Sequence, residues 1–225
     1  MHLAKIIGID VPYTEIRTAN NTPFLLIERY DRRQDANECI FRLHQEDFCQ
    51  ALGLMPEIKY EREGGPNLRQ YNDILYQFSA KPAADQIKLL ERIIFNYLIG
   101  NADAHGKNFS LLYKSKKPEL APAYDLLSTA VYQGISTKMA MKIGGKYEPE
   151  KVFLHHWHQL VPNTEVAKRE LKKLLQYLSK NCAEKAHALK ESLKKEGISS
   201  PIFEDICSVI EKRSQRISNL KLDTF

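Results

Sequence analysis

Apolar positions recur at helical spacing most insistently between residues 84 and 99. Ile87, Leu90, Ile94 and Leu98 share one face, and Leu89, Ile93, Tyr97 and Ile99 fill the flanks, so the pattern predicts a helix buried on several sides. Gly100 follows as its stop. Toward the C-terminus, Leu171, Leu174, Leu175 and Leu178 form a stripe after a cap at Asn163 or Thr164. Ala186, Leu189 and Leu193 predict a second helix ended by Gly197, and Ser200-Pro201 opens a last one carrying Ile206, Val209, Ile210 and Ile217. Earlier elements are shorter. Residues 1–8 read as a helix end, with Leu3, Ile6 and Ile7 apolar and Gly8 behind them. Phe24-Leu25-Leu26-Ile27 predicts a buried strand. Gln45 to Leu52 predicts a short helix stopped by Gly53 and Pro56, and Gly64-Gly65-Pro66 a loop. Asn67 or Asn72 starts a helix toward Phe78, and Phe109–Tyr113 and Glu119–Ala121 read as two strands around a turn at 114–118. The expected fold is mainly α with small β elements, an α+β chain.

Composition narrows the class. The 225 residues suffice for one sizeable domain, and 43% hydrophobic with 27% charged residues is ordinary for a globular protein. No apolar run is long enough to span a bilayer, and no signal-peptide pattern opens the chain. Cys39, Cys49, Cys182 and Cys207 are too scattered for a zinc site or a disulfide framework. A reduced, cytoplasmic protein without membrane association is the expectation. Of the formal charge of +5, most arises after Glu165, where thirteen Lys/Arg face nine Asp/Glu. This reads as a solvated helix surface of mixed charge; the tail lacks the aromatic-basic interleaving that direct nucleic-acid binding by base stacking would use.

Candidate chemistry concentrates directly after the buried helix, in Asn101-Ala102-Asp103-Ala104-His105-Gly106-Lys107-Asn108-Phe109-Ser110, and again at Tyr124-Asp125. Phosphoryl transfer to an alcohol calls for a carboxylate to orient the hydroxyl and take its proton, and for oxygen ligands to hold Mg²⁺ on the phosphates. Asp103 suits the first task. Asn108, five residues on, and Asp125, seventeen beyond that, suit the second. Lys107 is placed to offset charge on the transferring group, and His105 to orient the loop. Taken alone, Asp-x4-Asn is what any surface turn uses. A buried helix before it, a strand after it and a second Asp beyond favour the chemical reading. Three other features read as structural. His155-His156-Trp157-His158 suits an amphipathic segment with Trp157 inward, not a metal site. Gly144-Gly145 suits a turn, not a phosphate loop. Arg29, Arg32 and Arg33 suit local ion pairs as well as a phosphate or acidic partner.

The chain resembles the HipA-like serine/threonine kinases, toxins of bacterial toxin–antitoxin systems. The resemblance rests on Ile27-Glu28-Arg29-Tyr30-Asp31-Arg32, on Arg42 to Gly53, on Lys59-Tyr60-Glu61-Arg62-Glu63-Gly64-Gly65-Pro66, and on Asn96 to Ser110, with Tyr124-Asp125 and Lys138-Met139-Ala140-Met141 in addition. It covers residues 3–160 and departs at His44, where the family usually has Pro. What it implies is a kinase-like C-terminal lobe: residues 1–33 as a remnant of the N-terminal lobe ending in the hinge, and 34–225 as the helical lobe. The resemblance makes Glu28 and Tyr30 the hinge positions facing adenine, and places Gln45, His105 and Tyr124 with the nucleotide-binding residues. It makes Asp103 the catalytic Asp, and Asn108 and Asp125 the magnesium ligands, with ATP and Mg²⁺ as cofactors. It further implies a protein substrate such as an aminoacyl-tRNA synthetase, and a helix-turn-helix antitoxin through which alone DNA is reached. The family's phosphate loop and its phosphate-gripping Lys have no counterpart in these residues. Two functions are therefore weighed. One is a kinase of little turnover on its own, completed by a separate chain; the other is an inactive binding module that docks an antitoxin or target.

Overall fold

The structure is a computed structural model and describes residues 1–20 and 22–220. Its centre is α4 (Pro82–Ile99), which begins with Pro at a position that needs no N–H and ends on Gly100 in the left-handed region at φ 76°. Leu89, Ile94 and Leu98 on α4 are fully buried, each contributing about 1.5–3 kcal/mol relative to exposure. Its buried polar groups are used as ties. Asp85 accepts from Ser79 Oγ (2.6 Å) and from the Leu120 amide (2.9 Å), and Arg92 donates to the Ala121 carbonyl. The helix thereby fixes the strand segment that leads to Asp125.

Around it lie α1 (His2–Ile6), α2 (Phe48–Ala51), α3 (Leu68–Phe78), α5 (Leu154–His158), α6 (Glu165–Lys195) and α7 (Ile202–Asn219). A three-stranded antiparallel sheet of order β5-β6-β7 joins β5 (His44–Asp47), β6 (Ser110–Tyr113) and β7 (Glu119–Leu120), with Asp47 opposite Ser110 and Leu111 opposite Leu120. Two hairpins complete the described residues: β1 (Thr14–Ala19) with β2 (Thr22–Ile27), and β3 (Arg32–Gln34) with β4 (Ile40–Arg42). The core includes Ala4, Ile7, Ile9, Phe48, Tyr71, Trp157, Leu175 and Ile210, so helices from both ends of the chain meet on α4.

Several expectations need correction. Phe24 to Ile27 is a strand, but every residue of β2 is exposed, because among the described residues β2 pairs with β1 in a two-stranded sheet and is not packed into the core. Gln45 to Asp47 is not helical. These residues pair with β6, and the helix starts only at Phe48, where Asp47 and Gln50 form a reciprocal capping box. The C-terminal stripe and the Ala186, Leu189 and Leu193 stripe lie on one continuous helix of 31 residues, since no breaker separates Leu178 from Ala186. Ser200 makes no side-chain cap; Pro201 occupies the N-cap position.

Other readings hold as made. Asn67, not Asn72, caps α3 through a capping box with Gln70, and Thr164 caps α6. Trp157 is fully buried, and Gly144-Gly145 forms the turn between the bridged residues Ile143 and Lys146. Arg29 and Arg32 pair with the buried Asp31. No disulfide links the four cysteines. The basic tail is laced with pairs such as Lys168–Glu165, Lys173–Glu170 and Lys190–Glu204. No helix among the described residues is long and apolar enough to cross a membrane.

Candidate active site

The loop after α4 is held by one side chain. Asn101, 4% exposed, donates from Nδ2 to Asn96 Oδ1 (3.0 Å) and to the Asp125 carbonyl (3.1 Å), while its Oδ1 accepts from the Asp103 amide (3.0 Å). A single buried amide thus ties Asp103 and Asp125, twenty-two positions apart in sequence, to the end of one rigid helix. Thr129 adds a second brace, its Oγ1 accepting from the Ala102 amide (2.7 Å) and donating to the Gly100 carbonyl (3.2 Å). Gly100 is dictated by space as well as by φ, and Gly106 by space. A Cβ at Gly100 would stand 2.8 Å from Ala130 Cβ and Val209 Cγ1, and one at Gly106 would stand 2.7 Å from Cys49 Sγ and Pro66 Cγ.

Asn108 donates from Nδ2 to the Asp103 carbonyl (2.9 Å), which turns its Oδ1 away as an open acceptor. Asp125 is exposed and sits at φ 55°, a conformation that costs a non-glycine residue on the order of 1–3 kcal/mol; the Asn101 bond to its carbonyl holds it there. One neutral amide oxygen and one carboxylate are the donor set with which Mg²⁺ is shared between protein and phosphate, and the residues present fit that role. Among the described residues, no three His, Cys, Asp or Glu side chains gather as a protein-only metal cage. Lys107 is exposed, with no carboxylate within ion-pair distance among the described residues.

The carboxylate of Asp103 has an unforeseen partner. The Tyr60 hydroxyl donates to its Oδ1, and burial together with the Asp103 charge pushes the Tyr60 phenol up to about 12. His105 stands edge-on to Tyr60 (5.1 Å between centroids) with Nε2 3.9 Å from Asp103 Oδ1. Burial lowers the His105 imidazole below its ordinary range, partly opposed by the charges of Asp103 and, more weakly, Asp125. His105 Nδ1 is buried without a partner. Tyr60 had appeared in the sequence only inside a resembling block, and Asn101 only as part of the loop; no local pattern marks either, because their partners are distant along the chain.

The residues expected on the nucleotide side are arranged as follows. The Tyr30 and Tyr124 rings stack, with centroids 5.9 Å apart. The Tyr124 hydroxyl donates to the Lys107 carbonyl (2.7 Å) and accepts from Ser110 Oγ (2.6 Å), and burial raises its phenol pKa. This connects the segment of Tyr30 to the loop through two aromatic rings. The Glu28 amide is taken by the Tyr13 carbonyl (2.9 Å), leaving its own carbonyl oxygen as the backbone group it can offer. Gln45 is half-buried in β5 opposite Leu112, and its Oε1 is buried without a partner. Asp31 anchors the turn between β2 and β3. Arg29 binds it in a fork at 2.9 and 2.8 Å, Arg32 adds a bond of 2.6 Å, and these guanidinium groups hold its carboxyl at about 2.

A buried helix delivering a carboxylate-and-amide loop beside a small sheet, with two stacked tyrosines at its edge, fits a kinase-like α+β fold. The chain belongs to a specific family of that class: the model of the HipA-like C-terminal domain matches residues 1–186. A relative from Sinorhizobium fredii named "Putative kinase Y4mE" is 57% identical over 144 residues, 64% of this chain and 34% of its own length. The serine/threonine-protein kinase toxin HipA of Shewanella oneidensis is 36% identical over 167 residues, 69% of this chain and 38% of its own. The chain therefore spans a little over a third of the length of these curated relatives. Among solved structures, that of Shewanella oneidensis HipA with HipB and operator DNA matches 100% of this chain and 57% of its own, at a TM-score of 0.85 and 25% identity. The Helicobacter pylori proinflammatory kinase CtkA shares the fold at a TM-score of 0.63 and 16% identity, covering 96% of this chain and 78% of its own.

Proposed function

We propose that this chain is the base- and metal-bearing part of a HipA-like serine/threonine protein kinase, which moves the γ-phosphoryl group of ATP to a protein hydroxyl. The observation that carries the reading is the Asn101 bracket, which joins Asp103 to Asp125 while Asn108 turns an open oxygen outward. Asp103 Oδ1 is engaged by Tyr60, so Oδ2 is the oxygen that takes the proton of the acceptor hydroxyl. The hydroxyl oxygen bonds to the γ-phosphorus as the bond to the departing ADP oxygen breaks. Asn108 Oδ1 and Asp125 hold Mg²⁺, which when bound supplies charge neutralisation at the phosphates. Lys107 faces the same charge. Tyr30, Tyr124, Gln45, His105 and the Glu28 carbonyl line the nucleotide side, and residues 1–33 serve the hinge while 34–225 form the catalytic lobe.

A phosphate loop and a gripping Lys come from polypeptide outside these 225 residues, whether contiguous or separate. The strands β2 and β4 support this. Phe24, Leu25, Leu26, Ile27, Ile40 and Phe41 are each at least 40% exposed, and a two-stranded hairpin is marginal without a further layer. A DNA-binding antitoxin is the partner indicated by the HipA–HipB–DNA neighbour, with DNA reached through it, and the substrate is a protein such as an aminoacyl-tRNA synthetase. The same bare strands support the second reading, a binding module without turnover. Titration calorimetry with ATP and Mg²⁺, and transfer of labelled γ-phosphate, test the first. Binding is expected to need Mg²⁺ and to be lost in the double substitution Asn108→Ala with Asp125→Ala. Transfer by the chain alone is expected to be slow and to vanish in Asp103→Asn. ATP binding indifferent to both EDTA and the double substitution sinks the kinase reading. Antitoxin capture that persists in Asp103→Ala without any transfer supports the binding module.

A further inference from the structure

A cleft of about 990 Å³ lies away from the loop of Asp103, between α7, α5 and the turn at Pro149–Lys151, and the candidate chemistry above makes no use of it. One wall is cationic. Lys212 and Arg213 from one turn of α7 and Arg216 from the next line it, with His155 from α5. Among the described residues, none of the three α7 cations is within ion-pair distance of a carboxylate. Arg213 donates to the Tyr97 carbonyl (2.6 Å) and lies over the Tyr97 ring at 5.3 Å. Arg216 donates to the Glu150 carbonyl and lies over the Phe153 ring at 5.4 Å, while its Nε is buried without a partner.

Neutral partners do not offset a charge drawn out of water. Burial lowers the Arg213 guanidinium below its ordinary range, as expected for a cation held by a carbonyl and a ring alone. Among the described residues, the Glu150 carboxylate is the one acidic side chain in the lining, so three α7 cations face one negative charge there. Apolar side chains lie beside the cations. Phe153, 51% exposed, lines the cleft with Leu154, Val209 and Leu220. A concave site that sets cations next to an exposed aromatic ring suits a ligand carrying carboxylates and an apolar side chain together. Duplex nucleic acid would lay phosphates along a convex stripe, whereas this site is concave.

We propose that this cleft is a docking site for an acidic linear peptide of a partner protein, whose carboxylates meet Lys212, Arg213 and Arg216 while a Leu or Phe side chain packs against Phe153. Its position gives the docking a consequence. Ala130 forms part of the cleft wall, and its neighbour Thr129 braces the loop amide of Ala102 at 2.7 Å. A peptide seated here is held next to the segment that supports Asp103. The docking itself does not depend on phosphoryl transfer.

Fluorescence anisotropy on the 225-residue chain tests it, with a fluorescein-labelled peptide Glu-Asp-Leu-Phe-Glu-Asp as probe. Controls are the same peptide with Lys at every acidic position and an oligothymidine of equal net charge. Lys212 is exposed and unpaired among the described residues and Phe153 is half-exposed, so Lys212→Glu and Phe153→Ala leave the core untouched; unchanged melting temperatures verify this. Saturable binding of the acidic peptide is expected, weakened by about tenfold or more in each variant. It should come with a change in emission of the single Trp157, whose ring lies 5.2 Å from that of Tyr97 in the cleft wall. No saturable binding, equal affinity in wild type and both variants, or tighter binding of the oligothymidine would each overturn the proposal.

Discussion

Replacing Asn101 by Ala removes the bracket that holds the candidate active site together. Its side chain makes three hydrogen bonds of 3.0 to 3.1 Å with Asn96 Oδ1, the Asp125 carbonyl and the Asp103 amide, at 4% exposure. Each such bond contributes about 1 kcal/mol net, and the buried Asn96 oxygen left behind costs about 1–3 kcal/mol more if water does not reach it. Because the three bonds share one side chain they are not independent, and the loss should total about 3–4 kcal/mol rather than the larger sum. For a domain of this size that lowers the melting temperature by roughly 6–16 °C. Differential scanning calorimetry measures it. A second variant separates stability from positioning. Asn101→Asp keeps an acceptor for the Asp103 amide but turns a carboxylate oxygen toward Asn96 Oδ1 and the Asp125 carbonyl, so it should be at least as destabilising as Ala. Below the melting range, both variants should bind Mg-ATP more weakly than wild type, because Asp125 loses its hold in the left-handed region. If Asn101→Ala melts within about 2 °C of wild type, the bracket does not hold the loop and the reasoning fails.

Two further outcomes follow from other parts of the structure. Asp31, buried and held at about 2 by Arg29 and Arg32, has a folded value below its ordinary one. Its stabilisation is full above the unfolded value near 4 and is lost as pH falls toward 2; allowing for screening at the exposed Arg29 and Arg42, it should amount to about 1 kcal/mol. Urea titrations between pH 5 and pH 2.5 should therefore show a smaller acid loss in Asp31→Asn than in wild type, and parallel curves would refute the assignment. The Tyr60 phenol, pushed up to about 12 in part by the Asp103 carboxylate, should titrate at lower pH in Asp103→Asn; a carbon-13 NMR titration of the tyrosine ring carbons reads this, and an unmoved Tyr60 would show that the two side chains do not interact.

Local patterns revealed as much as they did because each is written in adjacent residues. The periodicity of Ile87, Leu90, Ile94 and Leu98, the stop at Gly100, and the caps at Asn67 and Thr164 depend on neighbours within one or two turns. The same holds for the spacing of Asp103 and Asn108, which lie on one loop. Errors fell where a distant segment decides. Gln45 to Asp47 have no strand signature of their own, and their conformation is set by hydrogen bonds to Ser110–Leu112. Phe24 to Ile27 look buried by composition, yet their exposure depends on what packs over the hairpin, which no count of apolar residues contains. Tyr60, Asn101 and Thr129 escaped notice for the same reason: a Tyr, an Asn and a Thr become parts of a site only when folding brings their partners in.

Side-chain order along the chain therefore suffices for the helices, the turn chemistry and the identity of the oxygen-bearing groups, since those depend on backbone preference and period over a few residues. Convergence is a different matter. That Asp125 stands beside the Asp103 loop, that Tyr60 occupies one oxygen of the carboxylate, and that three cations of α7 open onto a cleft all follow from long-range packing on α4. Contacts between residues far apart in sequence are won against loop entropy by burial of the whole core, and so they exist only once the chain has folded.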